Sequence, residues 1–136
     1  MSDQPIVLYV EDDPQSRKVM QMLLERRMAL QHVVILDNSR NFREVVVALH
    51  PKPTIVFLDI HVEPHNGFQM LEILRELDWS RHVPIVALTA SVMNEEIQHL
   101  KTAGFDGCLA KPIDLHSFPD KFNRILAGEL VWYITV

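Results

Sequence analysis

Three carboxylates, a hydroxyl and an amine each follow an apolar run in this sequence. They belong to Glu11, Asp12, Asp59, Thr89 and Lys111. Carboxylates brought together repel one another unless a cation lies between them, and ligation by oxygen alone suits Mg²⁺, which also keeps several waters. The amine offers a point charge to a phosphoryl oxygen, and the hydroxyl can donate to another. Asp59 would then be either a further metal ligand or a carboxylate nucleophile that forms an aspartyl phosphate.

The apolar runs before these residues have the composition of strands that are buried on both faces. The clearest of them spans residues 54–58, where threonine, isoleucine, valine, phenylalanine and leucine all suit a pleated surface. The five predicted strands cover residues 6–10, 33–36, 54–58, 83–88 and 107–110. Strands that are apolar throughout are typical of parallel sheets with helices on both faces.

Helical patterns lie between and after these strands. Phe42, Val45, Val46 and Leu49 recur at the spacing of an amphipathic helix, and similar patterns follow the other four strands. Strict alternation with short connections predicts an α/β fold with right-handed crossovers. We therefore expect a flavodoxin-like (βα)5 domain, with a five-stranded parallel sheet in the order 2-1-3-4-5 and helices on both faces.

This strand order brings the candidate residues together. Strands 1, 3, 4 and 5 are contiguous in it, and their carboxyl ends lie at one edge of the sheet, where open α/β sheets bind ligands. Asp59 sits centrally at that edge, because a charge inside the sheet would cost several kcal/mol. The sequence thus predicts a magnesium and phosphoryl site around Asp59.

Composition limits the remaining possibilities. A chain of 136 residues with 48% hydrophobic residues suits one globular domain, and the net charge of −5 argues against nucleic-acid binding. No apolar run approaches the roughly 18 residues of a membrane span, and the first residues do not resemble a signal peptide. With a single cysteine, Cys108, the chain cannot form an internal disulfide. We interpret Cys108 as a small buried hydrophobic residue. A cytoplasmic location is expected.

Five motifs together resemble the receiver domain of two-component response regulators. They are Val10-Glu11-Asp12-Asp13-Pro14, Phe57-Leu58-Asp59-Ile60, Gly67, Leu88-Thr89-Ala90 and Leu109-Ala110-Lys111-Pro112-Ile113. The resemblance runs from about Ile6 to Leu126, with the motifs in the right order and at the right intervals. It implies a signalling domain that accepts a phosphoryl group from a kinase histidine on Asp59 with Mg²⁺ and then switches a protein-interaction surface. It does not imply an enzyme beyond the promotion of its own phosphorylation and dephosphorylation.

The resemblance also implies a role for each site residue. Asp12 and Asp59 would bind Mg²⁺ directly, Glu11 would bind it through water, and the carbonyl of His61 would be a further ligand. Thr89 and Lys111 would hold the phosphoryl oxygens, while Ala90 would leave room for the donor.

Two positions depart from the family pattern. Glu63 stands where the family usually has proline, four residues after the phosphorylated aspartate. Cys108 stands where the family usually has tyrosine or phenylalanine, three residues before the lysine. Because a thiol cannot fill and vacate the volume of an aromatic ring, switching should rest on the loop after Thr89 instead.

Other classes of protein fit the residues less well. A haloacid-dehalogenase-type phosphatase would have a second aspartate two residues after the first, where this chain has His61. A nucleotide or flavin binder would need a phosphate-binding loop after strand 1, where Glu11, Asp12 and Asp13 would repel phosphate. A transition-metal site at His61 and His65 lacks a cysteine partner. The main alternative is a receiver-like interaction module that signals without phosphorylation.

The chain divides into a receiver domain over residues 1–128 and an apolar tail over residues 129–136. The expected partners are a sensor histidine kinase or histidine phosphotransfer protein and a downstream protein that acts in trans, with no nucleic acid or membrane. The tail Leu130-Val131-Trp132-Tyr133-Ile134-Thr135-Val136 is β-prone, uncharged and apolar on both faces of a strand. We expect it to pack on a second copy of the chain as a homodimer, because docking on its own domain would expose one face. The alternative is that it folds back beside the fifth helix.

Overall fold

Strands and helices alternate along a computed structural model that describes residues 4–91 and 93–132. The strands and helices are β1 Ile6–Val10, α1 Pro14–Gln21, β2 His32–Leu36, α2 Phe42–Ala48, β3 Ile55–Asp59, α3 Gly67–Arg75, β4 Ile85–Thr89, α4 Asn94–Ala103, β5 Gly107–Ala110, α5 Phe118–Leu126 and β6 Val131–Trp132. The helix that begins with α1 continues as a π-helical segment, Met22–Arg27. None of the helices in the described residues is long and apolar enough to cross a membrane.

All neighbouring strands of the sheet are parallel, in the order β2-β1-β3-β4-β5-β6. The predicted flavodoxin-like α/β fold and the order of the first five strands are confirmed. The predicted number of strands was wrong, because β6 extends the sheet beyond β5. Its register pairs Val131 with Gly107 and Trp132 with Cys108.

Side chains alternate between two apolar layers, one on each face of the sheet. On β3, Val56 and Leu58 pack in the layer that includes residues of α2, α3 and α4, while Ile55 and Phe57 pack in the layer of α1 and α5. The ring of Phe57 lies 5.7 Å from that of Phe118 and 6.0 Å from that of Phe122, measured between centroids. The strand β3 is therefore buried on both faces, and this packing fixes the position of its carboxyl end.

Short polar residues cap the starts of α1 and α3. Asp13 caps α1 by accepting a hydrogen bond from the backbone N–H of Ser16 at 3.0 Å, and Pro14 occupies the first helical position. Asn66 and Gln69 form a reciprocal capping box at the start of α3. These caps fix where the chain turns after β1 and after the loop that follows β3.

The first part of the tail packs on its own domain, so the expectation that docking there would leave one face exposed was wrong for these residues. Val131 is 2% exposed in the layer of α1 and α5, and Trp132 packs against the opposite layer. Both faces of the strand are covered because helices lie on both sides of the sheet edge. Residues 133–136 lie outside the described residues, and homodimer formation stays a prediction.

Candidate functional site

The central acid of the site is held by the middle of the sheet. Asp59 ends β3, pairs in register with Leu88 of β4 and is 4% exposed. Its Oδ1 accepts a hydrogen bond from the backbone N–H of His61 at 3.2 Å. The carboxylate is thus fixed at the carboxyl edge of the sheet, as the apolar run before it predicts.

Glu11 is fully buried beside Asp59 and has several donors around it. Its Oε1 accepts hydrogen bonds from the hydroxyl of Tyr9 at 3.1 Å and from Lys111 Nζ at 2.8 Å. Its Oε2 accepts one from the backbone N–H of Asp13 at 3.3 Å. The sequence analysis missed the role of Tyr9, although the two-residue spacing from Glu11 places both side chains on one face of an extended chain.

The ammonium group of Lys111 lies between two carboxylates. Its Nζ is 2.8 Å from Glu11 Oε1 and 3.5 Å from Asp59 Oδ2. Partial burial acts to lower the pKa of Lys111, but its hydrogen bond to Glu11 and the charge of Asp59 outweigh burial and raise it. Lys111 therefore keeps its positive charge next to the atoms that would receive a phosphoryl group.

The two buried acids have opposite pKa shifts. Burial and a hydrogen bond to Asp59 raise the pKa of Glu11 to about 7. Burial opposes the ionisation of Asp59, but hydrogen bonds from Glu11, from the backbone of His61 and from Lys111 lower its pKa. Asp59 is therefore the more readily ionised of the two acids. An ionised carboxylate is the form in which Asp59 could act as a nucleophile.

Three carboxylates come close enough to share a cation. One oxygen from each of Glu11, Asp12 and Asp59 lies within 4.8 Å of the others. Two oxygens on opposite sides of one Mg²⁺ stand about 4.2 Å apart, since each bond is about 2.1 Å long. Asp12 is exposed, whereas its two partners are buried, so the cluster opens to solvent on one side. The oxygen ligands, the spacing and the exposure fit Mg²⁺. The N–H of His61 donates to Asp59, and the ligand role of its carbonyl stays a prediction.

Thr89 ends β4 next to β5 and is 3% exposed. Its hydroxyl oxygen accepts a hydrogen bond from the backbone N–H of Ser91 at 3.1 Å and lies 3.3 Å from the carbonyl oxygen of Ser91. The backbone N–H of Lys111 donates to the carbonyl of Thr89 at 2.9 Å. The structure therefore brings Thr89 to the predicted edge, but its hydroxyl is engaged with the following loop.

The loop after Asp59 is anchored on both sides. Ser39 is buried, and its hydroxyl bonds to both the N–H and the carbonyl of His65, each at 2.7 Å. At Gly67, a Cβ atom would lie 2.9 Å from the Cα of Ile60, which leaves no room for a side chain. These contacts hold the loop that carries Glu63, the first departure from the family pattern.

Cys108, the second departure, lies in the layer of α2, α3 and α4 and is fully buried. Burial raises the pKa of its thiol to about 11. The thiol is therefore neutral at physiological pH and packs as a small apolar group.

Comparisons with known proteins agree with this geometry. A family model described as the response regulator receiver domain matches residues 7–123. The response regulator DivK of Brucella anthropi is 27% identical, over 88% of this chain and 94% of its own. The histidine-protein kinase BarA of Shigella flexneri is 31% identical over 90% of this chain, which spans only 13% of that protein.

Solved structures match the same fold. The receiver domain of the sensor histidine kinase PA1611 from Pseudomonas aeruginosa superposes with a TM-score of 0.79 at 21% identity. The match covers 92% of this chain and 99% of that one. That structure is described as having a magnesium ion coordinated in its active site cleft.

Proposed function

The chain belongs to the response regulator receiver domain family of two-component signalling, and we propose that Asp59 is its phosphoryl acceptor, with Mg²⁺ as cofactor. Receiver domains are signalling domains rather than classical enzymes. The observation that carries the proposal is the contact of Lys111 Nζ with both Glu11 and Asp59, with Asp12 within reach of the same oxygens.

In the phosphoryl transfer, a new P–O bond to Asp59 replaces the P–N bond of the donor. A carboxylate oxygen of Asp59 attacks the phosphorus of a phosphohistidine, the P–N bond breaks, and the imidazole leaves with its electron pair. Lys111 holds a phosphoryl oxygen by its positive charge. Asp12 and Asp59, with Glu11 through water, would hold a Mg²⁺ ion that neutralises the charge developing on the phosphoryl oxygens.

The hydroxyl of Thr89 would take part after the transfer. It can donate to a phosphoryl oxygen only if its single hydrogen no longer points at the carbonyl oxygen of Ser91. A turn of the Thr89 side chain toward the phosphoryl group would also break the hydrogen bond from the N–H of Ser91, three residues before α4 begins at Asn94. The two arrangements of Thr89 thus form a switch that the phosphoryl group biases.

The proposed donor is a sensor histidine kinase or a histidine phosphotransfer protein, and the output is a downstream protein bound in trans. An apolar groove of about 270 Å³ lies beside the site and includes Leu88, Lys111 and Ile113 in its lining. A protein donor that covered this groove would bring its phosphohistidine next to Lys111. The cytoplasm is the proposed location, and the neutral, buried thiol of Cys108 is compatible with it.

Phosphorylation of the wild-type chain should require Mg²⁺. We expect the intact mass to increase by one phosphoryl group after incubation with a small phosphodonor such as acetyl phosphate and Mg²⁺, with no increase when EDTA replaces the metal. An interaction module that signals without phosphorylation would gain no mass under either condition, and a gain that is equal with and without Mg²⁺ would contradict the metal assignment.

Phosphorylation should change the loop and helix after β4 more than β5. Thr89 and Ser91 exchange hydrogen bonds on switching, whereas Cys108 has no ring to move. Amide hydrogen exchange, compared between the unmodified and phosphorylated protein, should therefore change more over residues 89–100 than around residue 108. A larger change around residue 108 would refute a switch based on this loop.

A further inference from the structure

The short strand β6 connects the edge of the sheet with α4. Trp132 lies beside Cys108 in register and packs against the apolar layer that contains Ile97 and Leu100 of α4. The Nζ atom of Lys101, also on α4, is 5.2 Å from the centroid of the Trp132 ring, within the range of a cation–π contact. The contact of Lys101 with Trp132 therefore joins α4 to β6, and both elements border the same apolar layer.

The sheet edge is shaped to accept this strand. A Cβ atom on Gly107 would lie 2.6 Å from the carbonyl oxygen of Val131, so the close approach of β6 depends on glycine at that position. Val131 is buried in the layer that includes Phe122 and Ile125 of α5. Nevertheless, β6 is only two residues long, and so short a segment at a sheet edge opens more easily than the central strands.

The first turn of α4 is connected to the phosphorylation site. The backbone N–H of Ser91 donates to Thr89 Oγ1 at 3.1 Å, and the hydroxyl of Ser91 donates to Glu96 Oε1 at 2.6 Å. Hydrogen bonds thus link one end of α4 to Thr89, and Lys101 further along the helix contacts Trp132.

We propose that α4 and β6 are one coupled unit, in which release of Ser91 by Thr89 shifts α4, weakens the contact of Lys101 with Trp132 and loosens β6 from β5. The phosphorylation signal in this scheme rests on the function proposed above, but the coupling itself exists in the unmodified chain. Because coupling is reciprocal, loosening β6 must also loosen α4.

The first test uses the unmodified protein and two variants of the tail. Trp132→Ala removes the contact with Lys101, and Leu130→Ala is the matched control, because Leu130 is 66% exposed and lies just before the strand. We expect amide exchange over α4 to increase in Trp132→Ala relative to wild type and to stay unchanged in Leu130→Ala. Unchanged exchange over α4 in Trp132→Ala would overturn the proposal.

The reciprocal variant is Lys101→Met, which is safe for folding because Lys101 is exposed. We expect faster amide exchange at Val131 and Trp132, together with greater quenching of Trp132 fluorescence by acrylamide, an uncharged quencher that does not respond to the lost charge of Lys101. Trp79→Phe makes Trp132 the sole tryptophan, and it removes an indole N–H that is buried without a hydrogen-bond partner among the described residues. No change in either readout would count against the coupling.

The same Trp79→Phe protein, phosphorylated and checked by intact mass, tests the link to the site. Increased quenching of Trp132 in the phosphorylated sample supports the scheme, and unchanged quenching in that sample refutes the link. A sample that gains no phosphoryl mass would contradict the proposed function, while the coupling would still be decided by the two tests on unmodified protein.

Discussion

Asp59→Asn is expected to abolish phosphorylation completely. The amide cannot attack phosphorus as a carboxylate does, and the substitution also removes one of the three carboxylates that would hold Mg²⁺. We expect no increase in intact mass after incubation with a phosphodonor and Mg²⁺ under conditions that modify the wild type. The fold should survive, because an amide oxygen can still accept the hydrogen bond from the His61 N–H.

Asp37→Asn is the matched control for this loss. Asp37 is an exposed acid that directly follows β2, at the same edge of the sheet but outside the cluster. It should gain the phosphoryl mass at the wild-type rate. An Asp59→Asn protein that is modified as fast as this control would show that the acceptor lies elsewhere.

Asp12→Ala is expected to weaken Mg²⁺ binding by more than tenfold and to slow phosphorylation with it. At an effective dielectric constant of 20, two unit charges about 4 Å apart attract by about 4 kcal/mol, and a divalent ion attracts more strongly. Desolvation offsets part of this attraction, and about 1.4 kcal/mol is enough for a tenfold change in affinity. Asp12 is exposed, so the substitution leaves the apolar layers intact. Calorimetric titration of the unmodified variant with Mg²⁺ measures the effect.

Asp13→Asn is the control for Asp12→Ala. Asp13 is the next acid along the chain, but its carboxylate accepts hydrogen bonds from the N–H and hydroxyl of Ser16 at the start of α1. Asparagine caps helices about as well as aspartate, so the variant should fold and bind Mg²⁺ almost as tightly as the wild type. If Asp12→Ala binds Mg²⁺ as tightly as Asp13→Asn, the metal site is wrongly assigned.

The central strands, and the edge of the sheet at which the site lies, could be predicted because a short stretch of sequence specifies each of them. A run such as residues 55–58 is apolar at every position and ends on a charge, which fixes both the strand and the end at which the charge lies. The same pattern at β1 and β4 placed Glu11 and Thr89 at the same edge as Asp59. Once the strand order was inferred, the proximity of these side chains followed from topology alone.

The features that sequence reasoning missed depend on distant parts of the chain. The tail was predicted to be β-prone, but the docking of β6 beside β5 depends on Gly107, which lies 24 positions before Val131. An apolar segment at the edge of the sheet can bury both faces, because helices cover both sides there. The hydrogen bond from Tyr9 to Glu11 and the engagement of Thr89 with Ser91 depend on side-chain rotation, which composition and spacing do not specify.

The most direct test of the account is to find which residue carries the phosphoryl group. Wild-type protein is treated with a phosphodonor and Mg²⁺, and borohydride then reduces any aspartyl phosphate to homoserine, which survives digestion and peptide sequencing by mass spectrometry. The account predicts homoserine at position 59 and at no other aspartate, with none formed when EDTA replaces Mg²⁺. Homoserine at position 12 or 13 instead, or a phosphoryl group that remains on a histidine or serine peptide, would contradict it.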